Sequence, residues 1–473
     1  MALRRRSLRG LRRLHTAAGP ILWNHAAEES DSPSLTVQVL SWGRGSSGQL
    51  GGGKEETRLY PSPVAALRLP TDFRLAPVQG RLPSPPVGSA AEAKVEVGVS
   101  CGLFHSALLV DGTFWMWGKG DGGRLGFGDE NSVFVPTLNP NLEGVRSIAL
   151  GGIHSTSLTR SGEVFTWGYG GFGALGHSVY HRELLPRVVK GSWEENIMHL
   201  ATSGAHTAAI TETGQANGKL FTWGRDQGDG RLGLGSGGGP GEAGSFSIPS
   251  KVDALPVPVA AVSCGGFFTM ALTSDGQIWN WGANSNYELG RGNNVSDWRP
   301  QPIPSLKGTR VIQIASGGYH SLALTDTGKV LSWGHGGHGQ LGHPSVQNQK
   351  VPLGIEALAQ EHIVHIACGG STSAAVTGKN SSHVYGGAEV SVMPYLNISF
   401  RFVLEKGKLY MWGNARDCQL GVPGLPEFQK LPVEVKFLME DEDLGPHDVI
   451  SVAVGASHAM CLVLRQNAAL AKL

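Results

Sequence analysis

Long apolar runs are missing from this chain. Nowhere do its 473 residues reach the ~18–20 consecutive apolar positions of a membrane-spanning helix, and the start carries no uninterrupted apolar core of the secretory kind. Cysteine is scarce and unpatterned. Cys101, Cys264, Cys368, Cys418 and Cys461 form no C-x-x-C and no regular pairs, which argues against a disulfide scaffold or zinc ribbon and suits buried thiols in a reducing compartment. An excess of either charge is absent as well, with 39 Lys and Arg against 38 Asp and Glu. No Ser-His-Asp set, paired carboxylates or metal-ligand spacing stands out, so neither an enzyme nor a cofactor is expected.

Glycine is plentiful. Its 69 residues are about twice the usual share and follow no collagen period, which indicates many tight turns. The richest stretch is WGHGGHGQLGH, residues 333–343. Gly334, Gly336 and Gly339 fit a dinucleotide-binding spacing, and His335, His338 and His343 resemble a metal cluster. Recurrence argues against both readings. Related strings begin at Trp42, Trp117, Trp167, Trp223, Trp281 and Trp412, and in WGYGGFGALGH the two central histidines become Tyr169 and Phe172. A site is normally built once, whereas an architectural device recurs with variable side chains. The histidines are therefore expected near solvent, with Gly334, Gly339 and Gly342 serving backbone geometry.

A second element recurs in step. It reads CGLFHSALLVDG from Cys101, SGGYHSLALTDTG from Ser316 and VGASHAMCLVL from Val454, with seven copies in all. An apolar run, a short Gly turn and an aromatic run ending in Trp-Gly make a hairpin signal. Adding the Pro-containing stretch and the short strand that follow gives about four strands per repeat. Successive central Trp-Gly pairs lie 50 to 58 residues apart, which suits a four-stranded propeller blade. The first Trp-Gly strand lacks a preceding hairpin partner and the last apolar strand lacks a following one. Pairing the two would close the ring and leave no exposed edge.

These paired motifs resemble the Regulator of Chromosome Condensation repeat family, including its plant organellar members. The resemblance implies an all-β, seven-bladed β-propeller over residues 36–465. Its repeats would fall at about 37–111, 112–161, 162–213, 214–275, 276–327, 328–407 and 408–465. The positions that recur are Trp42, Gly43, Trp117, Gly118, Trp167, Gly168, Trp223, Gly224, Trp281, Gly282, Trp333, Gly334, Trp412 and Gly413, together with His105, His154, His206, His320 and His458. Phe268 and Thr372 replace the histidine in two repeats, so a polar core residue bonding a neighbouring strand explains it better than catalysis does. The tryptophans are expected to pack between blades.

Fold alone does not choose a function. The family includes a nuclear exchange factor for the small GTPase Ran, a UV-B photoreceptor and organellar members implicated in RNA processing and respiratory-complex assembly. For the photoreceptor, clustered tryptophans are wanting, since only Trp115/Trp117 and Trp279/Trp281 come close together. The first residues carry six arginines, Arg4, Arg5, Arg6, Arg9, Arg12 and Arg13, with no acid before Glu28, which reads as a mitochondrial transit peptide over about 1–30. A basic nuclear tail and a chloroplast leader are the alternatives. Without those arginines, 33 basic residues face 38 acidic ones, a net near −5 that does not favour direct nucleic-acid binding. Arg58, Arg68, Arg74 and Arg81 are expected on a solvated Pro-rich loop, with a local basic face as the alternative. Residues 379–405 interrupt a hairpin, either as a protruding functional loop or as retained intron, and 466–473 form a tail.

The function expected is a monomeric, noncatalytic scaffold in the mitochondrial matrix. It would support RNA splicing and complex I biogenesis through protein partners among RNA-processing or assembly factors. The alternatives are an exchange factor for a small GTPase, or a photoreceptor-like or chromatin-binding family member.

Overall fold

The computed structural model describes residues 19–25, 34–83, 95–212, 218–226, 228–235, 244–378, 407–437 and 447–465. The interrupting stretch 379–405, the tail 466–473 and most of the arginine-rich leader lie outside them. Among the described residues there is no α-helix, only strands and three short 3-10 turns in a seven-bladed β-propeller.

Blade 5 shows how each is built. Val311–Ser316, His320–Thr325, Val330–Gly334 and Gln349–Gly354 run antiparallel from the channel outward. The second strand, HSLALT, is buried at all six positions because neighbouring blades cover both its faces, so it shows no polar alternation. Its equivalents in blade 1 (Glu96–Leu138), blade 2 (Val145–Val188), blade 3 (Ile197–Lys251), blade 4 (Ala261–Pro302) and blade 6 (Ile363–Glu434) are likewise buried throughout, and blade 7 is the one that closes the ring. The fourth strand meets solvent, and four of its six residues are exposed or flank proline.

The recurring Trp-Gly pair marks the junction of third and fourth strands. In blade 5 the pairing slips between Ser332 and Gly334, a bulge that the glycine permits at φ +97°. The same slip recurs in the other six blades, with φ between +99° and +117° at the corresponding glycines. A Cβ on Gly334 would sit 2.7 Å from the Tyr319 carbonyl oxygen, so both conformation and space demand glycine.

The two chain termini share one blade. Ser34–Gly45 pairs with His458–Arg465 from Val37↔Leu464 to Gly43↔His458, and the blade is completed by His447–Val454 inside and Glu56–Pro70 outside. Hydrophobic clusters fill the gaps between successive blades. One joins Phe268 and Met270 of blade 4 to Val311, Ile314 and Trp333 of blade 5. A four-residue strand, Ile21–Asn24, adds in parallel to the outer edge of the closing blade, and Leu22 and Trp23 pack on its core. Those residues fall inside the stretch read as leader.

The stretch expected to be a solvated loop is something else. Glu56–Pro70 is a blade strand, Arg74–Leu75 pairs with Glu96–Val97, and residues 76–82 enter the central channel. There Gly80 N–H donates to His199 Nε2 (3.1 Å), Ile314 N–H to the Gly80 carbonyl (2.8 Å), and Arg81 Nη1 to the Val364 carbonyl (2.8 Å). One segment thus ties blades 3, 5 and 6 across the axis. Burial lowers the pKa of Arg81, and the carbonyl bond satisfies part of its fork. Arg58 instead pairs with Glu56 at 2.7 Å, and Arg68 and Arg74 stay exposed, so the four arginines do not form one basic face.

Candidate interaction face

The recurring residues meet at the junctions between blades. Each indole nitrogen donates to a carbonyl in the preceding blade's loop, just before its Leu-Gly: Trp42 to Gln419, Trp117 to Gln49, Trp167 to Arg124 and Trp223 to Ala174. Trp281 reaches Arg231, Trp333 reaches Glu288, and Trp412 reaches Gln340, all seven at 2.8 to 2.9 Å. All seven tryptophans are fully buried. An indole is thus both a large apolar filler and a blade-to-blade hydrogen bond.

The histidine reaches the opposite way. His105 Nε2 lies 2.9 Å from Ser155 Oγ in the next blade, and Ser155 donates its own proton to the Arg124 carbonyl that also receives Trp167. A hydroxyl has one proton to give, so the imidazole must donate here and carries its hydrogen on Nε2. His154 with Thr207, His206 with Thr269, His320 with Ser373 and His458 with Ser106 repeat the arrangement at 2.9 to 3.1 Å. Burial pushes His154 and His458 down to about 4 and His320 to about 3, and drives His105 and His206 well below the usual range. All five are neutral donors at physiological pH, buried away from solvent. The departures fit as well. Where Thr372 replaces the histidine, the next blade carries Ala459 instead of a hydroxyl, and where Phe268 replaces it, Ser321 Oγ has no partner among the described residues.

The three histidines of WGHGGHGQLGH do not gather. His335 and His338 are half-buried, their rings 5.8 Å apart and inclined at 66°, while Tyr169 and Phe172 make the same edge contact at 5.7 Å and 70°. Aromatic shape is what the position keeps. His343 departs from the expectation of a solvent site, being buried with its Nε2 2.9 Å from Ser332 Oγ. His177 does the same with Thr166, so the repeated Leu-Gly-His was a signal for an internal bond rather than a ligand. Among the described residues no cluster of three or more His, Cys, Asp or Glu is placed to hold a metal.

One end of the propeller carries the loop before each junction histidine and the loop after each Trp-Gly. On this face Leu103 and Phe104 of blade 1, Tyr169 of blade 2 and Tyr319 of blade 5 are 36 to 44% exposed. Phe267 of blade 4 stacks on Tyr319 at 5.2 Å with the Arg231 guanidinium 4.6 Å above its ring, and Arg225 lies 4.4 Å over Phe172. Sequence reading passed over these residues. Comparing the position just before the histidine across repeats, Phe104, Ile153, Ala205, Phe267, Tyr319, Ser371 and Ser457, would have shown the asymmetry.

The RCC1-like domain family matches residues 38–391, and the Regulator of chromosome condensation (RCC1) repeat matches 406–462. The chain belongs to this family. It is 60% identical over 450 residues, 94% of this chain and 92% of its counterpart, to the mitochondrial RCC1 domain-containing protein RUG3 of Arabidopsis thaliana. The ultraviolet-B receptor UVR8 of the same plant is 32% identical, covering 78% of this chain and 75% of the receptor. Among solved structures, Prp20p of Saccharomyces cerevisiae superposes with a TM-score of 0.69 over 93% of this chain and 94% of its own, at 20% identity, which speaks to the fold alone.

Proposed function

We propose that this RCC1-family propeller is a noncatalytic scaffold of the mitochondrial matrix, supporting transcript splicing and complex I biogenesis through protein contacts. The observation that carries this reading is the similarity to mitochondrial RUG3 along nearly the whole chain. Two features support it. The arginine-rich, acid-free start suits import, and the recurring polar residues inside the ring join blade to blade, with histidines that are neutral and enclosed. What remains for function is surface, and surface serves binding. The exchange-factor alternative makes a distinct demand, since it requires the chain to accelerate nucleotide release from a GTPase. Purified full-length protein is expected to leave the rate of GDP release from Ran and from organellar GTPases unchanged. Robust stimulation would replace the scaffold with an exchange factor.

A further inference from the structure

The aromatic residues on the loop face are not needed to build the propeller. At the position before the junction histidine, Ser371 of blade 6 and Ser457 of blade 7 complete the same fold with small polar side chains. Blades 2 to 5 instead carry a nearly continuous arc. Tyr169 meets Phe172, Phe172 lies under Arg225, Arg231 lies over Phe267, Phe267 stacks on Tyr319, and Tyr319 meets His335 at 6.4 Å. Blade 1 extends it with Leu103 and Phe104, the latter under Lys119 at 5.6 Å. Exposed rings (Phe104, Tyr169, Tyr319) and half-buried ones (Phe172, Phe267), held rigid by their neighbours, with the half-buried Arg225 and the buried Arg231 against them, have the composition of energetic centres in protein interfaces.

Charge decides which class of partner the arc suits. A track for single-stranded nucleic acid combines stacking rings with a groove of free cations along the backbone. Here Lys119 is paired with Asp121 at 2.8 Å and Arg231 with Asp229 at 2.9 Å, so cations and carboxylates alternate. Arg225, half-buried over Phe172, has no carboxylate partner among the described residues. A single unmatched guanidinium among rings calls for one carboxylate beside apolar side chains.

We propose that the arc across blades 1 to 5 is a docking surface for an extended protein segment that lays leucine or aromatic side chains on the rings and presents an Asp or Glu to Arg225. The proposal rests on the scaffold reading and gives it a location: the sector from Phe104 to Tyr319, with the Ser371 and Ser457 sector left free.

The test is a random-peptide display selection on the full-length protein. Enriched peptides are expected to carry Leu, Phe, Tyr or Trp within a few residues of Asp or Glu. A synthesised winner is expected to lose about tenfold or more in affinity for the Phe267→Ser/Tyr319→Ser protein, which adopts the residue of blades 6 and 7, and for Arg225→Gln. Ser457→Ala is expected to bind it unchanged. An unaltered thermal midpoint in the double variant separates lost contact from lost fold, and Arg225→Gln decides the matter if the double variant melts early. Winners without an acidic residue, or binding all variants equally, would overturn the proposal. So would a fluorescent oligouridylate that binds the wild-type protein and displaces the peptide, since the arc would then be a nucleic-acid surface. Failure here, with GDP release unstimulated and splicing dependent on the protein, would leave the scaffold intact and remove only this surface.

Discussion

His458 lies 2.9 Å from Ser106, so the last hairpin of the chain is bonded not only to the first Trp-Gly strand but also to blade 1. The bond makes ring closure a two-sided contact. Deleting residues 448–473 removes the two inner strands of the closing blade, exposes the edge of Ser34–Gly45 and leaves Ser106 without its donor. A clear fall in thermal midpoint is expected by calorimetry, and an unchanged midpoint would contradict the closure described.

One substitution should have opposite consequences at equivalent positions. Ser155→Ala strands the buried Nε2 proton of His105 and is expected to cost about 1–3 kcal/mol. Ser321→Ala removes a hydroxyl that already lacks a partner, because Phe268 stands where a histidine would reach it, and is expected to cost less than about 0.5 kcal/mol or to stabilise. Urea midpoints at constant slope measure both, and equal losses would refute the junction scheme.

Acid should weaken the ring before carboxylates protonate. His154 and His458 at about 4 and His320 at about 3 lie below the 6.5 of an unfolded histidine, so the unfolded chain takes up protons first as pH falls. Stability is complete above about 6.5 and declines below it, by up to about 1.4 kcal/mol per pH unit for each such residue. Thermal midpoints followed from about pH 7.5 to about pH 5 check this, and His320→Phe, which mimics blade 4, should make the decline shallower.

The strand Ile21–Asn24 separates two trimmed proteins. A chain beginning at Gly19 is expected to melt like the full-length chain. One beginning at Asp31 loses the parallel pairing with the Ala66–Arg68 stretch and the packing of Leu22 and Trp23, a loss of about 1–3 kcal/mol. Calorimetry of the pair measures it, and identical midpoints would show the strand to be dispensable.

Much of this architecture was legible because it is written seven times. The Trp-Gly bulge, the buried second strand and the complementary half-repeats could each be checked against sister copies within the chain. What occurs once had no such control. The channel segment with Gly80 and Arg81 has no counterpart among the other described residues, and its trace in the sequence was the 75 residues from Trp42 to Trp117. The strand at Ile21 is four residues inside a stretch that reads as a leader. His343 was obscured for another reason: the two central histidines of its loop vary between repeats, whereas Leu-Gly-His recurs at His177 with a hydroxyl on the adjacent strand.

The scaffold account is tested most directly by mitochondrial transcripts and complexes in cells lacking the protein. Quantitative measurement of each mitochondrial intron, spliced against unspliced, alongside assembled complex I on native gels, is expected to show retained introns and reduced complex I. Both should be restored by the full-length chain. Normal splicing and normal complex I in verified null cells would contradict the account.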